Sequence, residues 1–338
     1  MPVNLKSSTL VLALGCALAT AGCGSSSDEE PSAPSLPTII QIEGVAQNPE
    51  GVEYNKQDNT FFLSSLNGTP IVKVLSDGTF EPFSHGETFP LATAGLQIDH
   101  ERSRLLAAGF NEAALSDEDV DTKGSAYLRV YNLETGALEQ DVNLGELAPD
   151  ASAYFANDIA VDDKGNAYVS DWYAKVVYKV DVDGGASIFW TNDTNVSGGP
   201  NGLDFHPDGY LLVSLLNVND QFLYDDYGLV KIPLDNPALA KGVTISSPAY
   251  TGFDGMLMNE DGNVIGVTND GVSPGGNVLL ELSGENDWDV ASVINSKVIT
   301  ASTTVATTAD SRYYVINQDF SNASQQNWVI EEVIFNEE

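Results

Sequence analysis

FDGMLMNEDGNVIGVTND, residues 253–270, carries the plan of the whole chain. A polar residue with glycine opens it, an apolar run follows, a tight turn reverses direction, and a second apolar run ends on Asn or Asp. Short apolar runs on either side of a Gly- or Asn-containing turn read as a β-hairpin. The plan recurs closely in ANDIAVDDKGNAYVSD (156–171) and PNGLDFHPDGYLLVSL (200–215), and with a longer turn in PEGVEYNKQDNTFFLSS (49–65). Degenerate copies are AGLQIDHERSRLLAAG (94–109) and STTVATTADSRYYVIN (302–317). Aligned on Asn59, Ser103, Gly165, Gly209, Gly262 and Ser311, the copies are spaced by 44, 62, 44, 53 and 49 residues. Each interval has room for about four short strands, the unit of a radial array of small sheets. The sequence therefore predicts an all-β fold, a six-bladed β-propeller with four-stranded blades.

The expected blades span 46–84, 92–146, 154–192, 199–247, 252–295, and 299 to the end. The last unit runs out after about three strands, while TIIQIE (38–43) alternates in the β period and has no neighbour to pair with. That segment is expected to supply the outermost strand of the last blade, which closes the ring and leaves no open edge. Two stretches rich in Asn and Asp, 111–124 and 217–228, are expected as long loops.

The chain has 338 residues and is 42% hydrophobic, with a formal net charge of −35 and no Lys/Arg cluster. Such a surface repels nucleic acid and anionic headgroups, and excludes function classes that depend on them. Residues 1–23 read as an export signal: Lys6, a short apolar run from Leu10 to Ala19, then Thr20-Ala21-Gly22 before Cys23. The run is shorter than the ~20 apolar residues that span a bilayer. It resembles a bacterial lipoprotein signal, with Thr20 where Leu is usual, so that Cys23 would become the lipidated first residue and Cys16 would be lost. An ordinary secretory signal cut near the same place is the other reading. Residues 24–37, GSSSDEEPSAPSLP, form a tether of at most about 45 Å at ~3.3 Å per residue. The expectation is an outer-membrane lipoprotein, monomeric, with residues 38–338 as its propeller and a small molecule as its substrate.

Strand direction sorts the polar residues. Starts of inner strands share one face with the loops that follow each second strand, so Glu50, Asn157, Asn201 and Asp254 converge there. His85, Asp171, Trp172, Asn269 and Asp270 are expected around them as substrate-orienting groups. His100 and His206 fall in the opposite turns. Two carboxylates and two amide carbonyls form a hard-oxygen set suited to calcium, which takes six to eight oxygens and keeps positions open when a protein supplies four. Zinc or iron is disfavoured because no histidine or cysteine joins the quartet. Glu53 competes with Glu50 for the first ligand position.

PEGVEYN, ANDIAVDDKGNAYVSD, PNGLDFHPDG and FDGMLMNEDGN are similar, in order and spacing, to motifs of the senescence-marker, gluconolactonase and luciferin-regenerating-enzyme family. More remotely they resemble diisopropyl fluorophosphatase and the paraoxonases. The resemblance covers about residues 46–320 and implies a catalytic calcium held by Glu50, Asn157, Asn201 and Asp254, with Asp254 as the general base. The chain departs from the pattern at Val52, where Pro is usual, and in YFAND, which lacks the Arg that often precedes the asparagine in sugar-lactone hydrolases. Two function classes fit: a calcium-dependent hydrolase of lactones or related esters, with phosphotriesterase chemistry a lesser variant, and a non-catalytic tethered propeller in which calcium pins the blades.

Overall fold

The computed structural model describes residues 36–45, 48–111, 124–192, 198–218, 224–247, 250–269, 277–317 and 327–335. Among these, β-strands dominate and helix is confined to short 3-10 turns. No helix among them is long and apolar enough to cross a membrane.

The strands follow one another as antiparallel four-strand meanders. The first is β2 (Val52–Asn55), β3 (Thr60–Leu63), β4 (Val72–Val74) and β5 (Phe80–Pro82), and the second β6 (Ala92–Asp99), β7 (Arg104–Phe110), β8 (Ala126–Asn132) and β9 (Leu138–Asn143). The third is β10 (Ala156–Val161), β11 (Ala167–Asp171), β12 (Val176–Val180) and β13 (Ala186–Thr191). The fourth, β14 (Gly199–His206), β15 (Tyr210–Val218), β16 (Tyr224–Pro233) and β17 (Lys241–Ile245), joins the fifth, β18 (Met256–Met258), β19 (Val264–Asn269), β20 (Asn277–Glu285) and β21 (Val290–Ile299). A short parallel bridge, Thr244 to Val290 and Ile245 to Ala291, merges these two into one eight-stranded sheet. The last meander is β22 (Val305–Thr307), β23 (Tyr313–Ile316) and β24 (Asn327–Val333), completed by β1 (Ile39–Glu43) from the other end of the chain.

The turn residues on which the repeats align all adopt a left-handed backbone: Asn59, Ser103, Gly165, Gly209, Gly262 and Ser311 have φ between 50° and 88°. Glycine reaches that region without a steric penalty, and Asn more readily than most side chains. Each turn is thus pinned at the residue that reverses the chain.

Second strands read as continuous apolar runs because both of their faces are buried. Adjacent side chains go to different cores: Phe61 packs toward the last meander and Phe62 toward the second. Leu105 and Leu106, Tyr168 and Val169, Leu211 and Leu212, Val264 and Ile265, and Tyr314 and Val315 divide in the same way. The apolar interior is therefore a set of layers between consecutive sheets, each fully buried large side chain contributing about 1.5–3 kcal/mol. First strands touch in a closed cycle, β2 to β6 to β10 to β14 to β18 to β22 and back to β2.

The N-terminal strand pairs antiparallel with β24, from Ile39 opposite Glu331 to Glu43 opposite Asn327. Arg312 Nη1 donates to the Leu36 carbonyl at 3.0 Å, the Tyr314 hydroxyl to the Pro37 carbonyl at 3.0 Å, and the Glu332 amide to the Thr38 carbonyl at 2.8 Å. Two expectations need correction. The stretch 217–228 is largely strand, with Asn217 opposite Asp226 and Val218 opposite Tyr224, and only 219–223 lies outside the described residues. The fifth meander runs to Ile299 instead of 295. Most of the other expected loop, at 112–123, lies outside the described residues, as do residues 1–35 with Cys23 and Cys16.

Candidate functional site

Each first strand begins beside the next through a residue pair at equivalent positions: Glu50-Gly51, Ala94-Gly95, Asn157-Asp158, Asn201-Gly202, Asp254-Gly255 and Thr303-Thr304. The glycines permit the approach. A Cβ on Gly202 would stand 2.2 Å from the Asp254 carbonyl oxygen, and one on Gly95 2.5 Å from that of Asn157. Pairing irregularities between Thr93 and Leu96, Ala156 and Ile159, and Pro200 and Leu203 fall on the same positions, as bulges that re-aim side chains.

Hydroxyls on second strands hold these starts. Ser64 Oγ accepts from the Gly51 amide at 2.7 Å, Ser170 Oγ from the Asp158 amide at 3.0 Å, and Ser214 Oγ from the Phe253 amide at 2.8 Å. Thr303 Oγ1 donates to the Glu50 carbonyl at 2.6 Å, tying the last meander to the first.

Glu50, Asn157 and Asn201 are buried and Asp254 is half-buried. The Asn201 side chain bears on the Asp254 carboxylate and opposes the rise in its proton affinity, while Asn201 Oδ1 is buried with no hydrogen-bond partner. Burial, then the charges of Asp254 and Asp158, hold the Glu50 carboxyl well above its ordinary range. Burial also raises Asp254, against the opposing influence of the neighbouring Asn201 side chain. The structure thus brings Glu50, Asn201 and Asp254 into one electrostatic unit, with Asn157 at the matching start of β10.

Three further carboxylates, Glu53, Asp158 and Asp204, follow these starts by one or three residues. Glu53 Oε1 accepts from the Ile98 amide at 3.4 Å, Asp158 Oδ2 from the Leu203 amide at 3.1 Å, and Asp204 Oδ2 from the Met258 amide at 2.6 Å. Each carboxylate therefore ties its meander to the following one. Burial is the main cause that pushes Glu53 to about 8, Asp158 to about 8 and Asp204 to about 6, with the other carboxylates adding to the first two. The carboxylates bearing on Glu53 are Asp204 and Asp158, whereas that bearing most on Glu50 is Asp254. No positive group stands among the neighbours that shift any of the five.

The arrangement fits a hard cation. A buried carbonyl oxygen without a donor and paired carboxylates without a counter-charge each carry a cost that a bound divalent ion removes. Among the described residues no three His, Cys, Asp or Glu side chains gather closely enough to form a metal centre by themselves. The asparagine carbonyls are therefore essential to this candidate set.

Other expected site residues have different surroundings. Asp171 is fully buried, accepts from the Phe155 and Ala174 amides at 2.9 Å each and from the Tyr178 hydroxyl at 3.3 Å, and is raised to about 6 chiefly by burial. It staples a turn and is not open to a substrate. His85 bonds to the outer hairpin of the second meander through Gly136 and Leu138, and the structure does not bring it to the quartet. Trp172 is half-buried, its indole donating to the Leu216 carbonyl at 2.8 Å across to the fourth meander. Asn269 ends β19 opposite Asn277, its side chain outside the described residues, and Asp270 lies outside them altogether. His100 follows β6 and His206 ends β14, in the turns expected for them.

The sequence reading missed Asp158 and Asp204. Their signal was a second polar residue inside an apolar strand, one or three positions after each asparagine, as Glu53 follows Glu50.

No known protein-family profile matches the chain, and no curated protein matches it. Solved structures share the fold. A gluconolactonase from Xanthomonas campestris superposes with a TM-score of 0.57 at 16% identity, covering 87% of this chain and 89% of its own. The calcium-binding protein regucalcin from Agrobacterium tumefaciens gives 0.57 at 17%, covering 88% and 95%. A glucose dehydrogenase gives 0.58 at 11%, covering 88% and 99%. At these identities the likeness establishes the fold, an all-β array of small sheets shared by proteins with different chemistries.

Proposed function

We propose that this chain is a six-bladed propeller of the senescence-marker, gluconolactonase and luciferin-regenerating-enzyme kind, and that it hydrolyses lactones or related esters with the help of a calcium ion. Glu50, Asn157, Asn201 and Asp254 hold the ion. The observation that carries the assignment is Asn201, whose buried carbonyl oxygen has no partner while its side chain bears on the Asp254 carboxylate. Glu50 is preferred over Glu53 because its carboxylate couples to Asp254, whereas Glu53 bonds to the Ile98 amide. The resemblance to gluconolactonase and regucalcin structures supports the same assignment.

When bound, calcium polarises a carbonyl and stabilises the negative charge that develops on its oxygen. The chain's own groups do the rest. Asp254, oriented by Asn201, takes a proton from water as the water oxygen bonds to the carbonyl carbon. The acyl C–O bond then breaks, and the proton passes from Asp254 to the leaving alkoxide, giving a hydroxy acid. Asn157 and Glu50 would act by holding the ion, not by touching the carbonyl. The chain is proposed to be exported and held at the outer membrane through a lipid on Cys23.

Acid release followed by pH-stat over a panel of lactones tests the assignment. Turnover that disappears with excess chelator and with Asp254→Asn, while circular dichroism is unchanged, is the expected result. Turnover indifferent to chelator overturns it.

A further inference from the structure

The equivalent positions of the first strands carry oxygen ligands in four meanders, but the second carries Ala94, which is fully buried. Ala94 packs with Leu66, Ala92 and Phe110, and Phe155 lies against this cluster. Phe110 and Phe155 stack with ring centroids 4.1 Å apart, and Phe155 meets Trp172 and Tyr173 edge-on at 6.3 Å each. Tyr173 is 36% exposed at the end of this arc. Trp172 is fixed over the start of the fourth meander, where a Cβ on Gly199 would strike it. An unbroken aromatic arc therefore runs from the second meander to the fourth, past the two starts that bear Asn157 and Asn201.

Aromatic faces and aliphatic side chains reward apolar groups removed from water. The hydroxyls of a sugar ring need donors and acceptors instead, and lose free energy where none faces them. Resting on the hydrolase reading, we infer that the substrate's acyl part carries an apolar arm, an alkyl chain of several carbons, that lies along Phe155 and Tyr173. The reacting carbonyl then sits over the quartet and the arm points toward the second and third meanders. Phe155 and Tyr173 determine specificity; neither takes part in bond breaking.

The test is a chain-length series of α-alkyl-γ-butyrolactones, from the unsubstituted ring to the octyl derivative, with glucono-δ-lactone alongside. The expected result is a kcat/KM that rises about fourfold for each methylene placed on the arc, and that exceeds the value for glucono-δ-lactone from the middle of the series onward. Tyr173→Ser and Phe155→Ala flatten the slope. Should Phe155→Ala fail to fold, Tyr173→Ser, at an exposed ring, carries the comparison. A flat series, or a preference for glucono-δ-lactone, overturns the apolar arm and leaves the hydrolase reading standing. No turnover on any lactone overturns the hydrolase reading, and the arm is then decided by calorimetry with 2-alkylcyclopentanones, which lack the scissile bond. Affinity that climbs with alkyl length in the unmodified protein and not in Tyr173→Ser supports the arm; equal affinity along the series overturns it.

Discussion

Asn201 stands beside Asp254 and lowers the proton affinity of its carboxylate, yet leaves its own buried carbonyl oxygen without a donor. The pair is half of an arrangement. What completes it must bring positive charge and accept coordination from oxygen.

The first prediction is a stabilising substitution. In chelator, Asp254→Asn removes a carboxylate whose charge raises the proton affinity of the buried Glu50, so the variant melts a few degrees above the unmodified protein. Calcium at 100-fold its Kd adds about 2.7 kcal/mol of stability to the unmodified protein and raises its melting temperature, while the variant's is unmoved. Differential scanning calorimetry with and without calcium reads both. A variant that melts lower in chelator counts against the site.

A pH dependence follows from Glu53, whose pKa in the folded chain is pushed to about 8 by burial first, then by Asp204 and Asp158, against the Ile98 hydrogen bond. A carboxyl whose pKa is raised on folding is stabilising below its unfolded value, and that contribution is lost as pH rises from about 4.5 through about 8. In chelator, Glu53→Gln should match the unmodified protein near pH 5 and exceed it by several degrees in melting temperature at pH 9. A constant difference across that range contradicts the assignment.

How strands approach at the ring yields a third. Gly202→Ala forces a methyl toward the Asp254 carbonyl oxygen, at 2.2 Å in the present backbone. The expected cost is about 1–3 kcal/mol, together with loss of the calcium-induced rise in melting temperature, because Asn201 moves away from Asp254. Gly242→Ala, where no atom lies within 4 Å, is the control and should be neutral.

The fold was legible in the sequence where local chemistry and tertiary demand agree. FFL in β3 and YLLVSLL in β15 are apolar at every position or nearly so because each sheet is covered on both sides, and a Gly or Asn marks most reversals. TIIQIE could be placed in the last meander because it alternates with nothing beside it to pair. The surroundings of Asp171 were not legible, for the opposite reason. An acid at a strand end serves equally as ligand or as turn staple, and the amide that decides, from Phe155, lies 16 residues earlier in the chain. The pairing of His85 with the outer hairpin of the second meander is invisible from its own neighbourhood in the sequence. Asn217 and Asp226 have loop-like composition, yet they face each other in a hairpin longer than their chemistry advertises. Asp158 and Asp204 went unread because their partners, the Leu203 and Met258 amides, belong to the next meander.

Closure of the ring gives the fourth prediction. Protein beginning at Leu36 keeps β1 with its Arg312 and Tyr314 contacts and should fold, whereas protein beginning at Gly44 bares β24 and the apolar face of Trp328 and Ile330. An uncovered edge with an apolar face invites association. Size-exclusion chromatography should show the shorter protein as aggregate and the longer as a single species; equal behaviour would mean that β1 is dispensable.

The central claim concerns where a cation sits, so anomalous diffraction from crystals grown with calcium, or soaked with a lanthanide, tests it most directly. The account predicts one peak within about 2.3–2.6 Å of oxygens from Glu50, Asn157, Asn201 and Asp254, absent in crystals of Asp254→Asn. A peak elsewhere, or none among these four side chains at saturating calcium, contradicts it.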